Sequence, residues 1–330
     1  VAQQFEEIPI FLTFDENFVI PGGVAIYSLL KHASTDYKYR IFIAGGRISQ
    51  SGRKALAYAM KPFEDRASIE YLIVDGEINQ VWETIAKTAH FTVEVAYKLF
   101  IANILRQYDK IIISDVDVVF CGDVSEAYKA FTAGEGNFFA GVRPIGKTHV
   151  FYDDAYTAAF SPSEIRAQKY GISGGFLIAD LKSIRESNKE KDFIECFKRN
   201  AERLVQSEQD IINLSCYGSL EYLPLRFLVC AYVFDLFIED LTDTVYSAEE
   251  ISLAMEHPVQ LHFPGKPKPW ESRAVAKSGV WYAYLWEAGL APRFYFASIS
   301  SSIKNLIHDA FRKARRLGEL IRKSPEPSSR

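Results

Sequence analysis

The chain's 330 residues are 48% hydrophobic, 14% aromatic and 24% charged, which supplies a large folded core and excludes a disordered or collagen-like polypeptide. Its 38 Lys and Arg against 42 Asp and Glu leave a formal charge of −4, which excludes a general nucleic-acid binder, whose affinity rests on many cation–phosphate contacts. Four scattered cysteines without a CxxC pair exclude a zinc knuckle or disulfide framework and point to reduced thiols.

In chain order, Ile8–Phe14 predicts a buried strand, and Pro21-Gly22-Gly23 predicts a turn into a helix carrying Ile26, Leu29 and Leu30. Arg40–Ala44 and Tyr71–Val74 predict further strands around a helix near Arg53–Met60, with Ser49 or Ser51 as its cap. Glu94–Arg106 predicts a helix with an apolar stripe from Tyr97 to Leu105, and Lys110–Phe120 opens on a buried strand, Ile111-Ile112-Ile113. Strands near Phe138–Val142, Gly175–Ala179 and Glu221–Leu225 follow, with helices near Asp192–Leu204 and Asp210–Cys216. The polar stretch between Pro144 and Gly171 reads as a binding loop. This alternation predicts an α/β fold, a mostly parallel twisted sheet flanked by helices, with ligands beyond the carboxyl ends of the strands.

The strand Ile111–Ile113 runs into Ser114-Asp115-Val116-Asp117. Alternate residues of an extended chain point the same way, so Asp115 and Asp117 can share one hard divalent cation; a pair of turn or capping aspartates is the other reading. His262-Phe263-Pro264-Gly265-Lys266-Pro267-Lys268-Pro269-Trp270 is a proline-stiffened stretch holding one imidazole suited to Mn²⁺ and two ammonium groups suited to phosphate; a structural histidine is the alternative. Asp15-Glu16-Asn17 at the first strand's end offers short polar side chains to a base or ribose, or else caps a helix. Ser173-Gly174-Gly175 lets a ligand approach the backbone, and Glu208-Gln209-Asp210 either faces a cleft or caps the helix it opens.

Together, and in this order, Ile10-Phe11-Leu12-Thr13-Phe14-Asp15-Glu16-Asn17, Ile113–Asp117, Gly174–Ile178, Glu208–Asn213 and His262–Trp270 resemble glycosyltransferase family 8, over about Ile8 to Trp270. The resemblance implies a GT-A fold and a retaining enzyme that moves glucose or galactose from a UDP-sugar to a glycan or lipid-linked glycan hydroxyl. It makes Asp115, Asp117 and His262 ligands of Mn²⁺, with Mg²⁺ as the alternative ion. It sets Asp15 and Asn17 at the uridine, Lys268 and the Gly265 backbone at the diphosphate, and Gln209 near the anomeric carbon with Glu208 beside it. Lys98 stands where many members have a donor-contacting Arg, and Ser173, before Gly174, where an Asn is usual; both positions touch sugar recognition. A catalytically silent nucleotide-sugar or membrane-binding protein of the same fold is the alternative reading.

From Lys304 to Arg330 there are eight Lys and Arg against three acids. Ile303–Lys323 carries apolar residues at helical spacing, which predicts a basic amphipathic helix able to meet an anionic membrane surface, similar to the tails of bacterial lipooligosaccharide transferases of this family; a helix packed on the domain or on a second subunit is the other reading. The expected division is therefore a glycosyltransferase domain over 1–290 and a basic, aromatic tail over 291–330. No run reaches the ~18 apolar residues of a membrane span and no signal-peptide pattern opens the chain, so the expected location is cytoplasmic, peripheral at the inner face of the cell membrane.

Overall fold

A computed structural model describes residues 5–73, 97–146, 158–237, 241 and 244–297. Its main sheet has the order β3-β2-β1-β4-β7-β6-β8, built from β1 (Glu7–Thr13), β2 (Lys38–Ala44), β3 (Ala67–Tyr71), β4 (Lys110–Ser114), β6 (Phe139–Gly141), β7 (Phe176–Asp180) and β8 (Leu220–Tyr222). Every pairing is parallel except those of β7, which runs antiparallel to both β4 and β6.

The central strands β1, β4, β6 and β7 are apolar nearly throughout because both faces are covered, as a parallel sheet requires. Ile10, Leu12 and Ile112 point to one core, with Leu29 of α1 (Val19–His32) and Leu56 of α2 (Gln50–Met60). Phe11, Ile111 and Ile113 point to the other, with Ile101 of α3 (Ile101–Ile104), Ile184 of α6 (Leu181–Glu186), Phe193 of α7 (Lys189–Asn200) and Ile211 of α8 (Ser207–Cys216). Two further helices are α4 (Ser125–Ala130) and α5 (Pro162–Tyr170).

A second, three-stranded sheet, β5-β10-β9, joins β5 (Val118–Phe120), β9 (Val229–Cys230) and β10 (Gln260–His262). Around it lie α9 (Ala248–Glu256) and α10 (Ser278–Glu287), with Trp281 of α10 fully buried. Among the described residues no helix is long and apolar enough to cross a membrane, and the four cysteines are free.

Four local expectations are corrected. Pro21-Gly22-Gly23 is not a turn but part of α1: Pro21 falls in the first helical turn, where a missing N–H costs nothing. A Cβ on Gly22 would lie 2.8 Å from the Phe14 ring, and one on Gly23 2.7 Å from Leu290, so these glycines mark close packing. The third strand ends at Tyr71, paired with Ile43, instead of starting there; Val74 lies outside the described residues. Within Glu94–Arg106, residues 94–96 lie outside the described residues, Tyr97 is helical, and a turn over 98–100 separates it from the short α3. The stretch 144–171 contains α5, opened by a capping box in which Ser161 accepts from the Glu164 N–H and the Glu164 carboxylate from that of Ser161; residues 147–157 lie outside the description.

The helix expected over 303–323 also lies outside it. The described start of the 291–330 segment packs on the domain, with the Phe294 ring 5.7 Å from Trp281 and Arg293 donating to the Ser51 hydroxyl at 2.9 Å.

Candidate functional site

Strand β4 ends at Ser114, and the chain leaves the main sheet through Asp115 to enter the three-stranded sheet as β5 at Val118. The antiparallel register of β5 and β10 sets His262 opposite Val118, one residue past Asp117, and the Phe263 N–H donates to the Asp117 carbonyl at 2.9 Å. Three side chains thereby converge: His262 Nε2 lies 3.5 Å from Asp115 Oδ2 and 3.4 Å from Asp117 Oδ1, and one ligand atom from each falls within 4.8 Å of the others. A Cβ on Gly175 would stand 2.9 Å from His262 Nδ1 and Cε1, so only glycine leaves room for the imidazole there.

Burial alone would lower the His262 pKa, but the adjoining Asp117 carboxylate outweighs it and raises the pKa to about 10. Burial works to raise that of Asp117, yet His262 and Lys268 hold its carboxyl well below the usual carboxylate range. Two carboxylates facing an imidazole make a donor set that fits a divalent cation such as Mn²⁺, which takes both oxygen and imidazole ligands.

Two lysines brace the pair. Lys268 donates to Asp117 Oδ2 at 2.5 Å and to the Phe263 carbonyl at 2.8 Å. Lys98, only 3% exposed, bridges Asp115 Oδ1 at 2.5 Å and Glu208 Oε1 at 2.7 Å and reaches the Gly174 carbonyl at 3.4 Å. Burial would lower its pKa, but the Asp115 and Glu208 charges raise it above the ordinary lysine value.

The polar residues that open α8 divide their roles. Asp210 turns back to accept from the Val205 and Gln206 N–H groups at 2.8 and 2.9 Å, and burial pushes its pKa up to about 6. Glu208 turns to Lys98. Gln209 accepts from the Gly174 N–H at 2.9 Å and donates to Gln206.

A cavity of about 690 Å³ opens over these groups, lined among others by Asp115, His262, Ser173, Gly174, Glu208, Gln209, Gly265 and Lys266. Asp117, Lys98 and Lys268 stand behind this lining, paired as described. Asp15 and Asn17 are not part of the lining either. They follow β1, the parallel neighbour of β4, where Asp15 accepts from the Asn17 N–H and side-chain amide, both at 2.9 Å. Next to them Phe18 meets Trp270 edge-on at 5.8 Å, which ties this strand end to the loop after His262. Sequence reasoning missed Arg143, Gln206, Cys230 and Tyr232, which also line the cavity; for Arg143 the available signal was a cation just past a strand's carboxyl end.

Solved structures share this fold. The bifunctional glycosyltransferase WbbM matches with a TM-score of 0.72 and 21% identity over 89% of this chain, which spans 52% of that protein. The galactosyltransferase LgtC, solved with donor and acceptor sugar analogues, matches at TM-score 0.63 and 19% identity, over 86% of this chain and 95% of LgtC. An active-site mutant of LgtC gives 0.67 and 18%, over 85% and 96%. These likenesses show the GT-A fold. In sequence, general stress protein A of Bacillus subtilis (strain 168) is 22% identical over 262 residues, 78% of this chain and 85% of its own. The family model for glycosyl transferase family 8 matches residues 9–274, from β1 to beyond the loop that carries His262 and Lys268, and the chain belongs to that family.

Proposed function

We propose that this glycosyltransferase moves a hexose, glucose or galactose, from a UDP-sugar to a hydroxyl of a glycan or lipid-linked glycan, with retained anomeric configuration and a requirement for Mn²⁺ or Mg²⁺. The observation that carries the reading is the convergence of Asp115, Asp117 and His262 beside a cavity floored by Ser173, Gly174 and Gln209. Asp115, Asp117 and His262 would hold the cation, which when bound supplies positive charge to the donor's diphosphate. Asp15 and Asn17 bind the uridine. The Gly265 backbone passes the phosphates, and Lys268 shares its ammonium between Asp117 and the diphosphate, stabilising charge as UDP departs. Ser173, Gly174 and Gln209 line the sugar's place, Glu208 stands beside Gln209, and Lys98 acts on the donor through the two carboxylates it bridges.

The test is release of UDP from a panel of UDP-sugars with Mn²⁺, with and without sugar acceptors. Release that needs the metal and rises with an acceptor is expected; binding of the donor without release would make the chain a catalytically silent member of the fold.

The segment 291–330 divides from the catalytic domain 1–290 in this reading. It attaches the enzyme to the inner face of the cell membrane, where lipopolysaccharide precursors offer lipid-linked acceptors. Phe294 packs on Trp281, so the test truncates after Ala297: sedimentation with anionic liposomes should disappear and transfer to a soluble acceptor should persist. Binding that ignores salt, or a truncated protein that unfolds, contradicts the attachment role.

A further inference from the structure

Two cations of the cavity take no part in the reading above. Arg143 follows β6, and the preceding Val142 carbonyl accepts from the Ser173 N–H at 2.8 Å, so Arg143 adjoins the cavity floor. Its guanidinium sits between two tyrosines, 4.7 Å from the ring centre of Tyr222 and 5.7 Å from that of Tyr246. The Tyr246 hydroxyl donates to the Arg143 carbonyl at 3.1 Å. Arginine held on aromatic faces is pre-oriented, and its planar fork suits a phosphate or carboxylate. Its Nε is buried with no hydrogen-bond partner among the described residues. The acid in its field, Glu250, is engaged in the capping box with Ser247.

Lys266, exposed on the loop after His262, lines the same cavity. The two acids of the cavity lining, Asp115 and Glu208, are both held by Lys98, and among the described residues no ion pair joins either of them to Arg143 or Lys266. In the sheet, β7 separates β6 from β4, which puts Arg143 about two strand spacings, roughly 10 Å, from the strand end bearing Asp115. In the donor reading above the diphosphate lies at the metal ligands, so this separation leaves Arg143 free to meet a second ligand of the same cavity.

We infer that the acceptor carries an anionic group, a phosphate or a carboxylate, and that Arg143 and Lys266 form the subsite that receives it. The inference rests on the donor reading above, because it takes the remainder of the cavity to be filled by a UDP-sugar.

The test is calorimetry on the full chain saturated with UDP and Mn²⁺, titrated with glucose, glucose 6-phosphate and glucuronate. One or both anionic sugars should bind at least about tenfold more tightly than glucose, the size expected of hydrogen bonds to a charged group. Arg143→Ala should remove that preference, Arg143→Lys should keep part of it, and Lys266→Ala should weaken it about threefold. UDP affinity should stay within about twofold of wild type in each variant, since neither cation is assigned to the donor. If Arg143→Ala fails to fold, Arg143→Lys and Lys266→Ala carry the comparison. Equal affinity for the three sugars, or a preference that survives these substitutions, overturns the inference. So does competition between glucose 6-phosphate and UDP, which would give both cations to the donor. If UDP itself does not bind, the donor reading fails on its own; the same panel without UDP and metal then decides whether an anion subsite exists.

Discussion

Replacing Lys98 with methionine removes the cation that Asp115 and Glu208 share while keeping most of the side chain's volume. The ammonium is 3% exposed and lies 2.5 and 2.7 Å from its two carboxylates, which are themselves 29% and 12% exposed. Breaking a buried ion pair by deleting one partner costs about 3–5 kcal/mol, because the remaining charge is left in a poor solvent. Here two carboxylates are left facing one another, so the upper half of that range is expected, against the 5–15 kcal/mol that typically holds a domain together. Urea unfolding at pH 7 measures it directly. The double variant Lys98→Met, Glu208→Gln should regain part of the loss, since one of the stranded charges is gone. Saturating Mn²⁺ should raise the melting temperature of the single variant more than that of wild type. The pH dependence has a definite sign. Asp115 and Glu208 overcome burial and raise the Lys98 pKa above its ordinary 10.5, so its contribution is fully present below pH 10.5 and is lost only as pH climbs through the higher folded value. A Lys98→Met protein within about 0.5 kcal/mol of wild type, the range of an ordinary surface substitution, would refute the bridging role.

Two further outcomes follow from the same geometry. Without metal the folded pKa of His262, about 10, lies above its ordinary 6.5, so its ion pair with Asp117 stabilises fully below pH 6.5 and fades as pH rises through 10. A cation that takes Nε2 must displace that proton: affinity for Mn²⁺ should rise about tenfold per pH unit above neutrality, with proton release visible as calorimetric heats that change with the buffer. Gly175→Ala drives a methyl to 2.9 Å from the imidazole and 3.0 Å from Leu228; it should cost about 1–3 kcal/mol in unfolding and weaken Mn²⁺ binding, whereas unchanged metal affinity would mean that the ring need not sit where it does.

The sheet was largely legible because apolar runs such as Ile111–Ile113 are buried on both faces, a pattern that local sequence states directly. Reading Pro21-Gly22-Gly23 as a turn failed because those glycines answer to Phe14 and Leu290, the second of them far along the chain. The reversed direction of β7 leaves no local mark, since it is as fully buried as the two strands it runs antiparallel to. For the site, the two aspartates stood out at a strand end, but their meeting with His262 depends on the β5–β10 register, a contact across about 145 residues. Lys98 reads as a substituted arginine and nothing more until segments 98, 115 and 208 are brought together. Arg143 carried no motif at all, and only its tyrosine clamp and position on the cavity wall distinguish it.

The most direct test of the central claim is calorimetric titration of UDP into the full chain with Mn²⁺, repeated with chelator and with Asp117→Asn and His262→Ala. UDP should bind the wild type with Mn²⁺ and lose at least about tenfold in affinity under each of the other three conditions, the usual scale for losing a metal contact or a charged partner. UDP binding of equal strength with chelator and in both variants would contradict the metal-centred account.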